Sequence, residues 1–176
     1  MRNCPCNPVF PGKAVVEQSP SMAVHNTLYK RPESVLVVVY TPAGEVLLLE
    51  RREPAGYWQS VTGSLEPNET PREAAMRELH EETGLELPVT DCRQSHSFPI
   101  HSAWRARYAP DTRSNREHVF RALCRSPRAV ALNAAEHQRC RWLARAAAAE
   151  LASSPTNRQA ILDFVPEGGT AEAGQS

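Results

Sequence analysis

Hydrophobic positions in this chain follow two different periods. The apolar run Val35-Leu36-Val37-Val38-Val39-Tyr40 leads into the turn signal Thr41-Pro42-Ala43-Gly44 and then into Val46-Leu47-Leu48-Leu49. Short apolar runs bounded by Pro and Gly predict buried strands over Ser34–Tyr40 and Glu45–Arg51, arranged as a hairpin. Tyr57–Thr62 is rich in aromatic and β-branched residues and predicts a third, shorter strand, with a loop over Gly63–Glu69. The pattern then becomes helical. Thr70 suits an N-cap, Pro71 a first helical residue and Glu73 the third position of a capping box, while Gly84 supplies the stop, so a helix is expected over Pro71–Thr83. Ala75 and Leu79, with Met76 beside them, form the apolar side expected to pack on a sheet.

Beyond Gly84, strands are expected at Leu85–Thr90, Glu117–Leu123 and Cys140–Leu143, with a long polar connection over Ser102–Arg116. Two helices, Arg145–Ala152 and Thr156–Val165, follow; the four alanines at 146 to 149 are good helix formers. Residues 1–28 mix Pro, Asn, Ser and Gly without sustained periodicity and read as a flexible extension, and 167–176 as a flexible tail. Between them, 29–166 reads as the domain. A chain of 176 residues with 41% apolar composition supports one core and is too short for two. A single site is therefore sought.

Charge narrows the partners. Lys plus Arg equals Asp plus Glu at 20 each, so no global field draws the chain to nucleic acid or to an anionic membrane. Recognition of phosphate must be local. The longest apolar run among the strand-like segments, Val35 to Tyr40, is far short of a bilayer span, and the start of the chain lacks a signal-peptide apolar core, so a cytoplasmic location is expected. Cys4, Cys6, Cys92, Cys124 and Cys140 are odd in number and scattered, which predicts reduced thiols. Cys4 and Cys6 are one residue apart with no second close Cys or His pair, which argues against a structural zinc site.

The chemistry concentrates around the Pro71–Thr83 helix. Gly63, five residues, Glu69, seven residues, Arg77-Glu78-Leu79, one residue, Glu81-Glu82, one residue and Gly84-Leu85 follow in order. Helical spacing relates Glu78, Glu81 and Glu82 by three and four positions, so their carboxylates crowd one side. Like charges so spaced destabilise a helix unless a cation sits among them, and magnesium or manganese prefers hard oxygen ligands of this kind. Arg77 can pair with Glu81 or with Glu69 and hold carboxylate orientation. A solvated acidic face would explain a Glu-Glu pair, but it requires none of the glycines, loop glutamate or arginine in this register.

This arrangement resembles the Nudix box, with all seven fixed identities present. The resemblance extends through Tyr29-Lys30-Arg31-Pro32, Arg51-Arg52, Tyr57 to Gly63, Arg107-Tyr108-Ala109-Pro110, Glu136-His137, Trp142-Leu143 and Asn157 to Ile161, which look like the bacterial dihydroneopterin triphosphate pyrophosphatase branch, also described as dATP pyrophosphohydrolase. That resemblance implies an α/β/α sandwich with a mixed sheet and a magnesium-dependent enzyme, with manganese as the alternative ion. It implies release of pyrophosphate from a small-molecule triphosphate, an early step of folate synthesis.

Carried over by position, the resemblance implies metal ligation by Glu78, Glu82 and Glu136; on mechanistic grounds Glu81 is expected to act beside them as a ligand or general base. It implies substrate contacts from Lys30, Arg51, Thr62, Phe98, Pro99, Ile100, His101 and Ser154. Lys30 and Arg51 have suitable charge for a triphosphate, and Arg can engage two phosphate oxygens at once. Phe98, Trp58 and Trp104 are aromatic candidates for stacking on a ring, with Trp58 also suited to core packing. Pro99 and His101 stand where the branch has an acidic residue and an aromatic, a departure that touches ring selectivity. The competing activities are a house-cleaning hydrolase of canonical or oxidised dNTPs, and a ligand-sensing module that kept the fold without the chemistry.

Overall fold

The computed structural model describes residues 29–100 and 102–168. The expected N-terminal extension, Cys4, Cys6, His101 and residues 169–176 of the expected tail lie outside the described residues. A seven-stranded mixed sheet is built from β1 (Glu33–Tyr40), β2 (Glu45–Arg51), β3 (Trp58–Gln59), β4 (Val61–Ser64), β5 (Val89–Pro99), β6 (Ser114–Leu123) and β7 (His137–Ala144). Helix α1 (Pro71–Thr83) covers one face, and α2 (Arg145–Leu151) and α3 (Pro155–Phe164) cover the other. The architecture is the expected α/β/α sandwich.

β1 is central because Val35 to Val39 are buried on both faces, each side chain contributing about 1.5–3 kcal/mol by leaving water. One edge of β1 pairs in parallel with β6 from Glu33↔Arg116 to Tyr40↔Leu123. The other edge is shared. β4 takes its first half, from Ser34↔Ser64 to Val37↔Val61, and β2 meets it only at Tyr40↔Val46. The expected hairpin thus opens immediately after its turn, because the β3–β4 segment comes between its strands: β3 takes the far part of that β2 edge at Leu49↔Gln59 and Glu50↔Trp58, and β7 runs along the opposite edge of β2.

Several boundaries differ from expectation. The predicted Tyr57–Thr62 strand breaks at Ser60, where the chain leaves β2 to join β1, and Gly63 is a strand residue, not a loop residue. The predicted Leu85–Thr90 strand begins only at Val89 and runs on to Pro99. Its polar stretch is strand because β6 supplies the ladder bonds, and a bulge between Asp91 and Gln94 absorbs the irregularity, with Arg93 at φ 54°. Ser102–Arg107 forms a 3₁₀ turn, and β6 starts at Ser114, which shortens the expected polar connection.

Helix α1 matches its prediction at both ends. Thr70 Oγ1 accepts from the Glu73 amide at 3.3 Å, and Glu73 Oε2 accepts from the Thr70 amide at 2.8 Å. Gly84 sits in the left-handed region at φ 67° and its amide donates to His80 O at 2.7 Å. The buried stripe, however, is Ala74, Ala75, Leu79, Glu82 and Thr83, while Met76 is 51% exposed. Ala75, Leu79 and Glu82 are spaced by four and three residues, so Glu82 belongs to the sheet-facing stripe and Met76 points away from it. Among the described residues, no helix is long and apolar enough to cross a membrane, and Cys92, Cys124 and Cys140 are free thiols.

Candidate active site

Arg77 organises the carboxylates at the start of the site. Its Nε and Nη2 fork onto Glu69 Oε1 and Oε2 at 2.8 and 2.9 Å, and Nη2 also donates to Ser64 O at 3.1 Å. Its Nη1 donates to Glu78 Oε1 at 2.8 Å and to Glu81 Oε2 at 3.0 Å. One planar guanidinium therefore ties the loop glutamate, strand β4 and two helix glutamates into a single rigid unit. Sequence spacing allows Glu81 or Glu69 as the partner of Arg77; the structure uses both. The Arg77 fork pulls the Glu69 carboxyl below its ordinary range, and the same pairing raises the Arg77 guanidinium.

Glu78 shows why residue 63 is glycine. A Cβ built there would lie 1.7 to 2.3 Å from the Glu78 carboxylate atoms, so the carboxylate rests directly on the bare backbone of β4. Burial pushes the Glu78 carboxyl up to about 7, against the pull of Arg77. Glu81 stays mostly exposed.

Glu82 is fully buried, and neither of its carboxylate oxygens completes a hydrogen bond of good geometry. His137 Nε2 lies 3.2 Å from Glu82 Oε1. Burial raises the Glu82 carboxyl above its ordinary range; His137 and the Thr62 backbone oppose that rise, and Glu136 adds to it. Glu136 reaches this place through the end of α1. The Ala131 and Asn133 amides donate to the unsatisfied carbonyls of Thr83 and Glu82 at 2.9 and 3.1 Å, docking the 131–136 loop on the helix terminus. Arg52 pins the loop from the other side, its amide donating to Glu136 O and Nη1 to Ala134 O, both at 2.8 Å.

Glu82, Glu136 and His137 offer ligand atoms that all lie within 4.8 Å of one another. Buried carboxylate oxygens that complete no hydrogen bond of good geometry, converging with a second carboxylate and an imidazole, fit a hard divalent cation. Sequence marks His137 only through the Glu136-His137 resemblance and not as a site residue. Its signal was adjacency to Glu136, which does not separate a functional histidine from an ordinary strand one.

The residues expected to touch substrate lie on several elements, with Arg51 paired to His137 across β2 and β7 and the Thr62 backbone reaching Glu82. Thr62 lies on β4 opposite Leu36 and its Oγ1 accepts from Gln59 Nε2 at 2.8 Å. Arg51 ends β2, its Nε donating to Glu53 O at 3.1 Å. Lys30 is exposed, its amide bonded to Arg107 O at 2.9 Å. Ser154 is the N-cap position of α3, with its Oγ 2.8 Å from Thr156 Oγ1. Phe98 and Pro99 end β5, with Ile100 just beyond, and Phe98 is half-buried opposite Asn115. Trp58 is core, with the Arg139 guanidinium 5.8 Å from its ring centre. Trp104 lies in the 3₁₀ turn.

A buried carboxylate seat on a helix, organised by one arginine and set at the end of a mixed sheet, is the equipment of a metal-dependent hydrolase of phosphate anhydrides. The comparisons agree: the NUDIX domain model matches residues 30–164, and the chain belongs to this family as a Nudix hydrolase. It is 43% identical over 144 residues to a dihydroneopterin triphosphate diphosphatase of Escherichia coli K12, covering 78% of this chain and 95% of that one. A Haemophilus influenzae protein of the same description is 37% identical over 143 residues, covering 78% and 89%. The solved structure of the E. coli dihydroneopterin triphosphate pyrophosphohydrolase superposes with a TM-score of 0.73 at 43% identity, covering 78% of this chain and 97% of that one. Nudix hydrolases generally use divalent metals, and the Glu82 cluster is a possible seat for one.

Proposed function

We propose that this chain hydrolyses dihydroneopterin triphosphate with water to dihydroneopterin monophosphate and pyrophosphate, using magnesium, with manganese as a substitute. The observation that carries the substrate is the 43% identity that runs through 95% of a relative of that description. In this reading Glu78, Glu82 and Glu136 hold the ion, and His137 fixes Glu82 or joins the ligand set. A divalent cation so bound supplies positive charge against the phosphate oxygens and Lewis acidity toward water.

The remaining steps belong to side chains. Arg77 holds Glu81 through Oε2, leaving Oε1 to take the proton of the attacking water. Lys30 and Arg51 bind the triphosphate, and Thr62 and Ser154 orient the substrate. Phe98, Pro99, Ile100 and His101 border the ring. Positioning by this fixed frame, more than any one group, lowers the barrier.

A panel of dihydroneopterin triphosphate, dATP and oxidised dGTP compared by kcat/KM tests the substrate. The pterin compound is expected to lead. Preference for an oxidised nucleotide would instead establish the house-cleaning activity, and no pyrophosphate from any of them would leave a sensing module.

A further inference from the structure

On the sheet face that carries α3, the strand registers align residues into rows. Leu36 stands between Thr62 of β4 and Val119 of β6, and Ser34 stands between Ser64 and Glu117. The first row borders the apolar core, where Leu36, Val38 and Val119 lie under Ala160 and Ile161. One step outward the same face turns polar. Glu117 pairs across the sheet with His96, and Asn115, two residues away on the same face, pairs with Phe98. Over this polar half sits the first turn of α3, with Ser154, Thr156 and Asn157.

Polar groups buried there lack partners. Glu117 is only 7% exposed, and its Oε2 accepts from Thr156 Oγ1 at 2.9 Å. Burial, opposed by that hydroxyl, lifts the Glu117 carboxyl above its ordinary range. Asn157, next in the chain to Thr156, is 1% exposed, yet neither its Oδ1 nor its Nδ2 has a hydrogen-bond partner. It shares a stripe with Ala160 and Ile161, three and four residues on, so it faces the sheet. Asn115 Oδ1 and His96 Nε2 are also buried and unpartnered, while Asn115 Nδ2 donates to Ser34 Oγ at 2.6 Å. Burial of this many unpaired polar atoms is costly unless a ligand or bound water completes them.

We infer that Glu117, with Asn157 above it, reads the donor edge of the substrate's ring, and that this polar end of the sheet face takes a 2-amino-4-oxopyrimidine ring such as a pterin. This deepens the dihydroneopterin triphosphate reading and rests on it. Such a ring presents an N–H and an NH₂ side by side, which match the two oxygens of one carboxylate, and a carbonyl next to them, which matches the Asn157 amide. Oε2 keeps a lone pair after accepting from Thr156. Phe98, on the same face beside Asn115, offers a surface for the ring to stack on. Strand β4 connects this polar end to the carboxylate seat, since Thr62 stands in the neighbouring row of the same face and the next residue, Gly63, lies under Glu78.

The test uses guanosine, inosine and xanthosine triphosphates, whose rings carry at the corresponding position an amino group, a hydrogen and an oxygen. Dissociation constants measured with calcium in place of magnesium, alongside kcat/KM with magnesium, keep ring recognition readable even for a compound that is not turned over. The wild-type protein is expected to rank them guanosine, inosine, xanthosine, with roughly 10- to 100-fold between the first and last. Glu117→Gln presents an NH₂ where the carboxylate accepted, so it is expected to lose guanosine and dihydroneopterin triphosphates by a similar factor and to gain the xanthosine compound. A merely structural Glu117 would not invert the order. Equal effects on all three rings, or no discrimination by the wild type, overturn the inference. A thermal melt accompanies the variant; if it does not fold, the wild-type order alone decides. If the order holds while dihydroneopterin triphosphate is no better than the guanosine compound, the ring reader stands and the proposed substrate falls.

Discussion

His137 Nε2 lies 3.2 Å from Glu82 Oε1, with both side chains shut off from solvent. A buried carboxylate beside an imidazole is oriented by it, and groups that hold metal ligands in place commonly account for 10- to 100-fold in metal affinity. His137→Ala is expected to weaken manganese or magnesium binding by about that factor, read by calorimetric titration. Glu82→Gln, which removes a proposed ligand while keeping its volume, is expected to lower turnover by at least about 100-fold with the fold intact. Unchanged metal affinity in His137→Ala would mean that Glu82 is held by the helix alone.

Gly63→Ala separates catalysis from folding. The added methyl falls on the carboxylate atoms of Glu78, the far end of a flexible side chain, so Glu78 can swing away at modest cost in stability. The carboxylate then leaves its place on β4. We expect a change in stability within about 1 kcal/mol and loss of most activity, measured by thermal melts and pyrophosphate release. A fully active Gly63→Ala enzyme would show that Glu78 does not work from its observed position.

Arg77→Lys should behave as a severe change despite its retained charge. An ammonium cannot fork onto Glu69 while also reaching Ser64 O, Glu78 and Glu81. With the frame loosened, kcat is expected to drop about 10- to 100-fold while KM changes less, since the substrate's charged groups are bound elsewhere. Equal kcat in the lysine variant would reduce Arg77 to a bulk charge.

Sequence revealed α1 to the residue because its caps, Thr70 with Glu73 and Gly84, are local signals that need no tertiary partner. It revealed the box glutamates because their spacing is itself the message. It misjudged β5, where polar residues become strand only through β6, and it paired β1 with β2, although β1 gives most of that edge to β4. The placement of Glu82 is instructive: sequence put it with Glu78 and Glu81 on an acidic side, while packing turns it toward the sheet beside Leu79. Glu117 was invisible as chemistry because a lone strand glutamate carries no spacing, and only the register with Ser34 and the roof of α3 give it meaning.

The last expectation concerns pH. Burial holds the Glu78 carboxyl at about 7, above its ordinary 4.5, so the folded metal-free protein binds that proton more tightly than the unfolded chain does. Stability from this group is therefore full below 4.5 and declines as pH rises toward 7; the buried carboxyls of Glu82 and Glu117 are shifted in the same direction. Glu69, lowered by Arg77, acts oppositely, its contribution being present above its ordinary value and lost as pH falls below it. A metal entering beside Glu78 must displace its proton, so affinity should climb roughly 10- to 30-fold from pH 5.5 to 7.5 and then level off. Manganese titrations and melts across that range check both trends. Glu78→Gln carries no titrating proton there, so its affinity should be lower and its pH slope flatter; parallel slopes in variant and wild type would assign the titration to another carboxyl.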